Sequence, residues 1–170
     1  PALVAAINAL GTHVAARLLS EGKTGVAVHA LFDGYSPTRA YPHTHGGVRF
    51  LSEVASARMA SPLEVPFTDL QPSGGFDPKQ AAWNFPAPWP GGLWTLRDIV
   101  DYELSATRAL LEHAAGNREF WLRNFTQVLR RAASRTDLYA FVLPGPAKDP
   151  CALAKLVEIL RTGGVEVHRA

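Results

Sequence analysis

The sequence predicts an α/β protein whose first α/β portion is followed by a helix-rich segment and a βαβ unit. Short Val-rich apolar runs at 25–31, 48–55 and 138–143 are typical of buried strands, which are apolar on both faces. Between them, apolar residues recur at three- and four-residue steps, the period of helices that bury one face. The run VEVH at 165–168 completes a strand–helix–strand order, which favours a parallel pair with a right-handed crossover.

The predicted helices have recognisable ends. An apolar stripe runs from Leu3 to Leu18 on an Ala-rich segment, and Gly22 is well placed to stop that helix. Thr95 followed by Asp98 resembles a capping box, with Asp in place of the usual Glu or Gln. The helix that it opens is followed by a second one, which Asn117 caps and which continues to about residue 134.

The last predicted helix begins at Asp149 and Pro150, a capping side chain followed by Pro at the first helical position. Residues 61–94 are rich in Pro, Gly and Trp and are predicted to be a long ordered loop, which in a compact domain is unusual and tends to be functional. The chain therefore divides into an α/β portion at 1–60, this connecting loop, and a truncated helical and βαβ portion at 95–170.

Composition and charge limit the function classes. Apolar residues make up 47% of the chain and charged residues 19%, which excludes disorder throughout. The formal charge of +2 is too small to indicate a nucleic-acid partner, and the arginines between 123 and 135 have the mixed spacing of a solvated helix face. No apolar run approaches the roughly 20 residues that span a bilayer, so we expect no signal peptide and no membrane partner. The single cysteine, Cys151, leaves the redox compartment open.

Both ends of the sequence predict a piece of a longer polypeptide. The chain begins with Pro1 in a helical pattern and closes on a strand pattern. Domain boundaries usually fall in polar linkers, and neither end carries one. We therefore expect the remainder of the same polypeptide to be a partner of this chain.

Glu53 is the candidate catalytic residue. It lies among Phe50, Leu51, Val54 and Ala55 in a strand pattern, where an ionised carboxylate is costly unless it is paired. Burial would raise the pKa of such a carboxyl group toward the range useful to a general base. The alternative is a glutamate at a strand end that pairs with Arg49 or Arg58, and spacing alone does not decide between the two.

The loop before that strand carries other candidates. His43 and His45 form an H-x-H pair that could bind a metal with Asp33 or Glu53, although polar loop histidines are the favoured interpretation. In the same loop, Arg39 and Tyr41 could grip a substrate carboxylate or an oxyanion, or could hold the loop in place. The sequence contains no G-x-S-x-G, P-loop, G-x-G-x-x-G or H-E-x-x-H motif. These absences exclude serine hydrolases of the nucleophile-elbow type, P-loop NTPases and the commonest zinc proteases.

Four runs in order give the chain a family resemblance. They are GKTGV with the later FDGYSP, then RAYPHTHGGVRFLSEVASA, then WNFPAPWPGGLWTLRDIVDY, and last DPCALAKLVEILRTGGVEVHRA. Together they resemble the C-terminal part of bacterial members of the zinc carboxypeptidase (metallocarboxypeptidase A-like) family, over nearly the whole chain. The resemblance implies the C-terminal part of a zinc-carboxypeptidase-like α/β domain in the first portion of the chain.

The resemblance also implies a function. Enzymes of this family remove C-terminal residues from a peptide substrate with one zinc ion and a glutamate that activates water, and that glutamate corresponds to Glu53. A tyrosine of the preceding loop grips the substrate, which suggests Tyr41 or Tyr35, with Arg39 as a further substrate-binding candidate. Relatives of this kind are commonly exported to the periplasm or the extracellular space.

One departure from the family pattern stands out. The family's His-x-x-Glu zinc motif does not occur in this sequence, so no metal ligand is assigned here and the zinc ligands are expected upstream of Pro1. The chain alone is then expected to be inactive. Two alternatives remain. One is a non-enzymatic peptide- or protein-binding module derived from the same fold, in which the aromatic loop at 83–94 makes the contact. The other is a small metalloprotein that uses His43, His45 and Asp33.

Overall fold

A computed structural model of the chain describes residues 2–30, 36–137, 140–144 and 147–169, with the side chain of residue 37 left out. It divides into two compact units, Pro1–Ser134 and Arg135–Ala170. The first unit contains α1 (Ala2–Ser20), α2 (Pro37–Thr44), β1 (Leu63–Val65), a 3-10 turn (Phe67–Asp69), β2 (Gly92–Trp94), α3 (Leu96–Gly116) and α4 (Arg118–Ala133). The second unit contains α5 (Pro150–Thr162).

The fold combines helices with a small sheet, so the predicted α/β class is confirmed in this coarse form. The sheet of the described residues has two strands, β1 and β2, in antiparallel register with Leu63 opposite Trp94 and Val65 opposite Gly92. Both strands lie inside the segment 61–94, which was predicted to be a loop throughout. The predicted domain divisions after residues 60 and 94 remain predictions.

The predicted strands at 25–31 and 48–55 are wrong in the described residues, which belong to no sheet; the first segment bends at residues 25, 28 and 29, and Gly25 and His29 have positive φ. A strand exists only where its backbone groups pair with a neighbouring strand, and apolar composition does not supply that neighbour. The first segment pairs instead with the aromatic loop, because the backbone N–H of Gly25 donates to Ala87 O at 2.7 Å and that of Val28 to Asn84 O at 2.9 Å.

In its described residues, the second unit forms the helix of the predicted βαβ unit but neither of its strands. Its helix forms as expected, since the Asp149 side chain accepts a hydrogen bond from Ala152 N at 2.9 Å and Gly163 follows the last turn. The described residues 140–144 and 165–169 form no strand, however. Phe141 is 85% exposed, so this apolar segment has no sheet to join within its unit.

The core of the first unit lies between α1 and α3. The apolar stripe predicted for α1 is confirmed, since Leu10, Val14 and Leu18 are buried. Val14 and Leu18 pack against Ala106 and Ala109 of α3, whose small side chains allow the two helices to approach closely. This packing fixes α1 and α3 as the frame of the first unit.

The expectation that no apolar run approaches 20 residues is wrong for helix α1. Its 19 residues have a mean hydropathy of 1.5, which makes it long and apolar enough to cross a membrane by length and composition. A core helix of a soluble protein and a signal sequence satisfy the same criterion. The predictions of no membrane partner and no signal peptide therefore stay predictions.

The capping box that opens α3 is confirmed. Asp98 N donates to Thr95 Oγ1 at 3.2 Å, and Thr95 N donates to Asp98 Oδ2 at 2.8 Å. Hydrogen bonds from the side chain and the backbone of Thr95 lower the pKa of Asp98. The reciprocal bonds satisfy two backbone groups that a helix end would otherwise leave without partners.

We expect Thr95→Ala to lower the free energy of unfolding by about 1 kcal/mol, the typical cost of losing an N-cap side chain. The measurement is urea unfolding followed by far-UV circular dichroism. Thr126→Ala is the matched control, because Thr126 lies exposed inside α4, where alanine has the higher helix propensity. Equal effects of the two substitutions would contradict a capping role for Thr95.

Candidate functional site

The first unit contains a cavity of about 610 Å³. This volume is within the range of pockets that bind small molecules, roughly 300–1,000 Å³. The cavity lies among α1, α3, β1, the aromatic loop and two segments outside any helix or strand, 24–30 and 49–56. Much of its lining is apolar and includes Val14, Leu18, Phe50, Phe85, Trp89 and Trp94.

One side of the cavity is an aromatic wall formed by Trp89, Trp94 and Tyr102. The ring centroids of Trp89 and Trp94 are 5.9 Å apart, and those of Trp94 and Tyr102 are 5.4 Å apart. Both pairs meet edge to face, with interplanar angles of 76° and 73°, a favoured geometry for aromatic rings. The wall is therefore a packed cluster whose members hold one another in place.

The aromatic wall also fixes the two segments that border the cavity, 24–30 and 49–56. Trp94 Nε1 donates to Ala55 O at 2.8 Å. The Tyr102 hydroxyl donates to Thr24 O at 2.9 Å and accepts from Thr24 N at 3.1 Å. These bonds from β2 and α3 position both segments although neither belongs to a sheet.

Glu53 lies on the second of these segments and lines the cavity. Exposure alternates along the segment, so that Phe50, Ser52 and Val54 are half-buried while Leu51 and Glu53 are exposed. Glu53 therefore lies on the more exposed side of this segment. The expectation that this carboxylate is buried among apolar neighbours is therefore wrong, and it is accessible to a ligand instead.

The predicted substrate-binding residues lie apart from the described lining of the cavity. Arg39 and Tyr41 are exposed on α2, a short helix in a region predicted to be loop, where Pro37 occupies a first-turn position that suits proline. Tyr41 stacks on His45 with ring centroids 4.1 Å apart. Tyr35 lies outside the described residues.

His43 lies in α2, and His45 is the residue that follows this helix. His43 lines the cavity, whereas His45 is exposed and its Nδ1 lies 2.9 Å from the Thr44 hydroxyl. No group of three or more His, Cys, Asp or Glu side chains among the described residues could hold a metal ion. Asp33, the third ligand of the metalloprotein alternative, lies outside the described residues, so that alternative stays a prediction.

Sequence reasoning named the aromatic loop at 83–94 as the contact of the binding module, but not as the wall of a cavity. Tyr102 was not singled out. The high density of aromatic residues in this loop was the signal that the sequence offered for a binding site, since aromatic side chains are enriched in ligand pockets. Their convergence depends on contacts between β2, α3 and the loop, which no local pattern encodes.

Comparisons of this chain with protein families, with curated proteins and with solved structures found no match. A functional proposal therefore draws on the cavity itself and on the resemblance carried by the sequence runs.

Proposed function

We propose that this chain is part of a zinc-dependent carboxypeptidase and that its cavity receives a side chain of the peptide substrate next to Glu53. The observation that supports this proposal most directly is the position of Glu53, whose exposed side chain lines the cavity. A general base must reach its substrate before its pKa matters, and an accessible carboxylate at a cavity meets that requirement.

In this proposal Glu53 takes a proton from the attacking water and returns it to the leaving amine of the cleaved peptide. The apolar lining and the aromatic wall exclude water from the bound side chain and favour an apolar one. Zinc and its ligands would belong to the upstream part of the polypeptide, as the family resemblance implies. Export of the enzyme is part of the same proposal.

The substrate-gripping roles of Arg39, Tyr41 and Tyr35 are also part of this proposal, with less support. The first two are exposed on α2, and α2 reaches the cavity through His43. In a complete enzyme, a substrate carboxylate would have to extend from the cavity toward α2 to meet Arg39 or Tyr41.

A second candidate function is a non-enzymatic module that binds an apolar peptide segment. Its support is the aromatic-lined cavity, which needs no metal ion to receive an apolar side chain. The two candidates make the same prediction for binding and differ in turnover by the full-length polypeptide. Its upstream sequence would also distinguish them, since the enzyme requires a His-x-x-Glu motif there.

We expect this chain to bind an N-blocked dipeptide that ends in phenylalanine, with a change in tryptophan fluorescence. Trp89→Leu should weaken binding about tenfold or more, which corresponds to roughly 1.4 kcal/mol. Trp83→Leu is the matched control, because Trp83 is 81% exposed and lies outside the lining of the cavity. The measurement is a fluorescence titration, with isothermal calorimetry for the variants.

Equal affinity of the two variants would contradict the cavity as the binding site. Elemental analysis of the dialysed chain adds an independent check on the metal. Close to one equivalent of zinc would mean that the ligands lie within this chain, which would contradict the upstream zinc site and favour the metalloprotein built on His43 and His45.

A further inference from the structure

Two histidines meet at the interface between α1 and α3, away from the cavity. The rings of His13 and His113 have centroids 4.5 Å apart and planes inclined at 47°. His13 is exposed, whereas His113 is half-buried. The two imidazoles are in contact, so the charge on one ring acts directly on the other.

Helix α4 encloses His113 on a second side. The indole ring of Trp121 meets it edge to face, with centroids 5.6 Å apart. Asn117 Nδ2 lies 3.4 Å from His113 Nδ1 and donates to the His113 carbonyl oxygen at 3.0 Å, which identifies this atom as the amide nitrogen. Because an N–H group faces Nδ1, the arrangement suits a ring that carries no proton at that atom.

The charged groups near His13 and His113 do little to stabilise a positive charge on either ring. Those nearest along the three helices are Arg17 on α1, Arg108 and Glu112 on α3, and Arg118, Glu119 and Arg123 on α4. The Glu112 carboxylate accepts from Arg17 at 3.2 Å, and the Glu119 carboxylate accepts from Arg123 at 2.6 Å. Both carboxylates are therefore already engaged by arginines, and a positive charge on His113 would face His13.

We propose that His13 and His113 form an acid-sensitive contact that loosens the packing of α1 against α3 when both rings are protonated. Two like charges in contact at a partly buried interface repel each other, and the half-buried ring of His113 also loses part of its hydration. Residues of both helices line the cavity, among them Val14 and Leu18 of α1 and Tyr102 and Ala106 of α3. Acidification therefore disturbs the cavity, whatever ligand the cavity takes.

The direction of the pH dependence follows from His113. Burial, and to a smaller extent the positive charge of His13, lowers the pKa of His113. In the unfolded chain a histidine titrates near its ordinary value of about 6.5. The unfolded state therefore takes up a proton first as the pH falls, so stability is fully present above about pH 6.5 and decreases as the pH falls from there toward the lowered pKa.

The test compares thermal unfolding of this chain at pH 7.5 and pH 5.0. Between these two values we expect the Tm to fall about 3 °C further in the unaltered protein than in His113→Gln, with His13→Gln between them. His45→Gln is the matched control, since His45 is an exposed histidine just after α2, and its Tm should fall as far as that of the unaltered protein. Fluorescence of the apolar dye ANS should rise on acidification in the unaltered protein more than in His113→Gln.

A measurement on the unaltered protein keeps the inference testable if the variants fold poorly. Titration of the His113 ring by NMR should give a pKa below the ordinary histidine value. A pKa at or above that value, or an equal fall in Tm for the unaltered protein and His113→Gln, would overturn the proposal. None of these readouts requires a peptide or peptidase activity, so the outcome is independent of the proposed function.

Discussion

Glu53→Gln in the full-length polypeptide should reduce kcat for a blocked dipeptide by about a hundredfold to ten-thousandfold, the range typical of losing a general base. Glutamine has nearly the same shape as glutamate but does not accept a proton from water. The side chain lines the cavity and is exposed, so the substitution leaves the packing of the segment 48–55 unaltered. Steady-state hydrolysis, with zinc content determined on the same preparation, is the measurement.

Glu64→Gln supplies the control for this substitution. Glu64 is exposed on β1 and lies outside the cavity lining, although its neighbours Leu63 and Val65 belong to it. Its kcat should equal that of the unaltered enzyme. Retained turnover in Glu53→Gln would contradict the proposed role, and peptide binding without turnover in the unaltered polypeptide would favour the non-enzymatic module.

Phe85→Ala should lower the free energy of unfolding by about 3–5 kcal/mol, the usual cost of removing a buried phenyl ring. Phe85 is 1% exposed, and its ring centroid lies 4.7 Å from that of Phe76. Its chain neighbour Asn84 bonds to Val28 through both its carbonyl oxygen and its side-chain amide. The lost ring would therefore leave a cavity at the point where the aromatic loop is hydrogen-bonded to the segment 24–30.

The neighbouring tryptophan tests whether this effect is due to burial. Trp83 is 81% exposed, so Trp83→Ala should change the free energy of unfolding by no more than about 0.5 kcal/mol. Urea unfolding followed by far-UV circular dichroism measures both variants under the same conditions. Similar losses for the two substitutions would mean that the aromatic loop is not part of the core.

All the described α-helices except α2 were predictable from the sequence because their determinants are local. The apolar stripe of α1, the capping box of Thr95 and Asp98, and the Asp149 cap of α5 all occur in the structure as expected. A helix closes its hydrogen bonds between residues four positions apart, and its caps satisfy the end groups from within one turn. Spacing in the sequence therefore carries most of the information that a helix needs.

The candidate site was predictable only in part. Glu53 was selected for its position in an apolar run, and the structure places it at the cavity but on the exposed side of its segment. Tyr102 of the aromatic wall and the contact of His13 with His113 gave no signal, because each depends on residues far apart in the chain. Arg39 and Tyr41 were expected near the site and lie on an exposed helix instead.

The sequence by itself determined four of the five α-helices of the described residues, α1, α3, α4 and α5, together with the caps that open α3 and α5 and the buried face of α1; it did not predict α2. Only the tertiary structure decided that the Val-rich segments 25–30 and 48–55 remain without a sheet, that β1 pairs with β2, and that a cavity lies between α1, α3 and the aromatic loop. The physical reason is the range of the interactions. Helical hydrogen bonds join near neighbours, whereas strand pairing, burial and cavities depend on partners that folding brings together from distant parts of the chain.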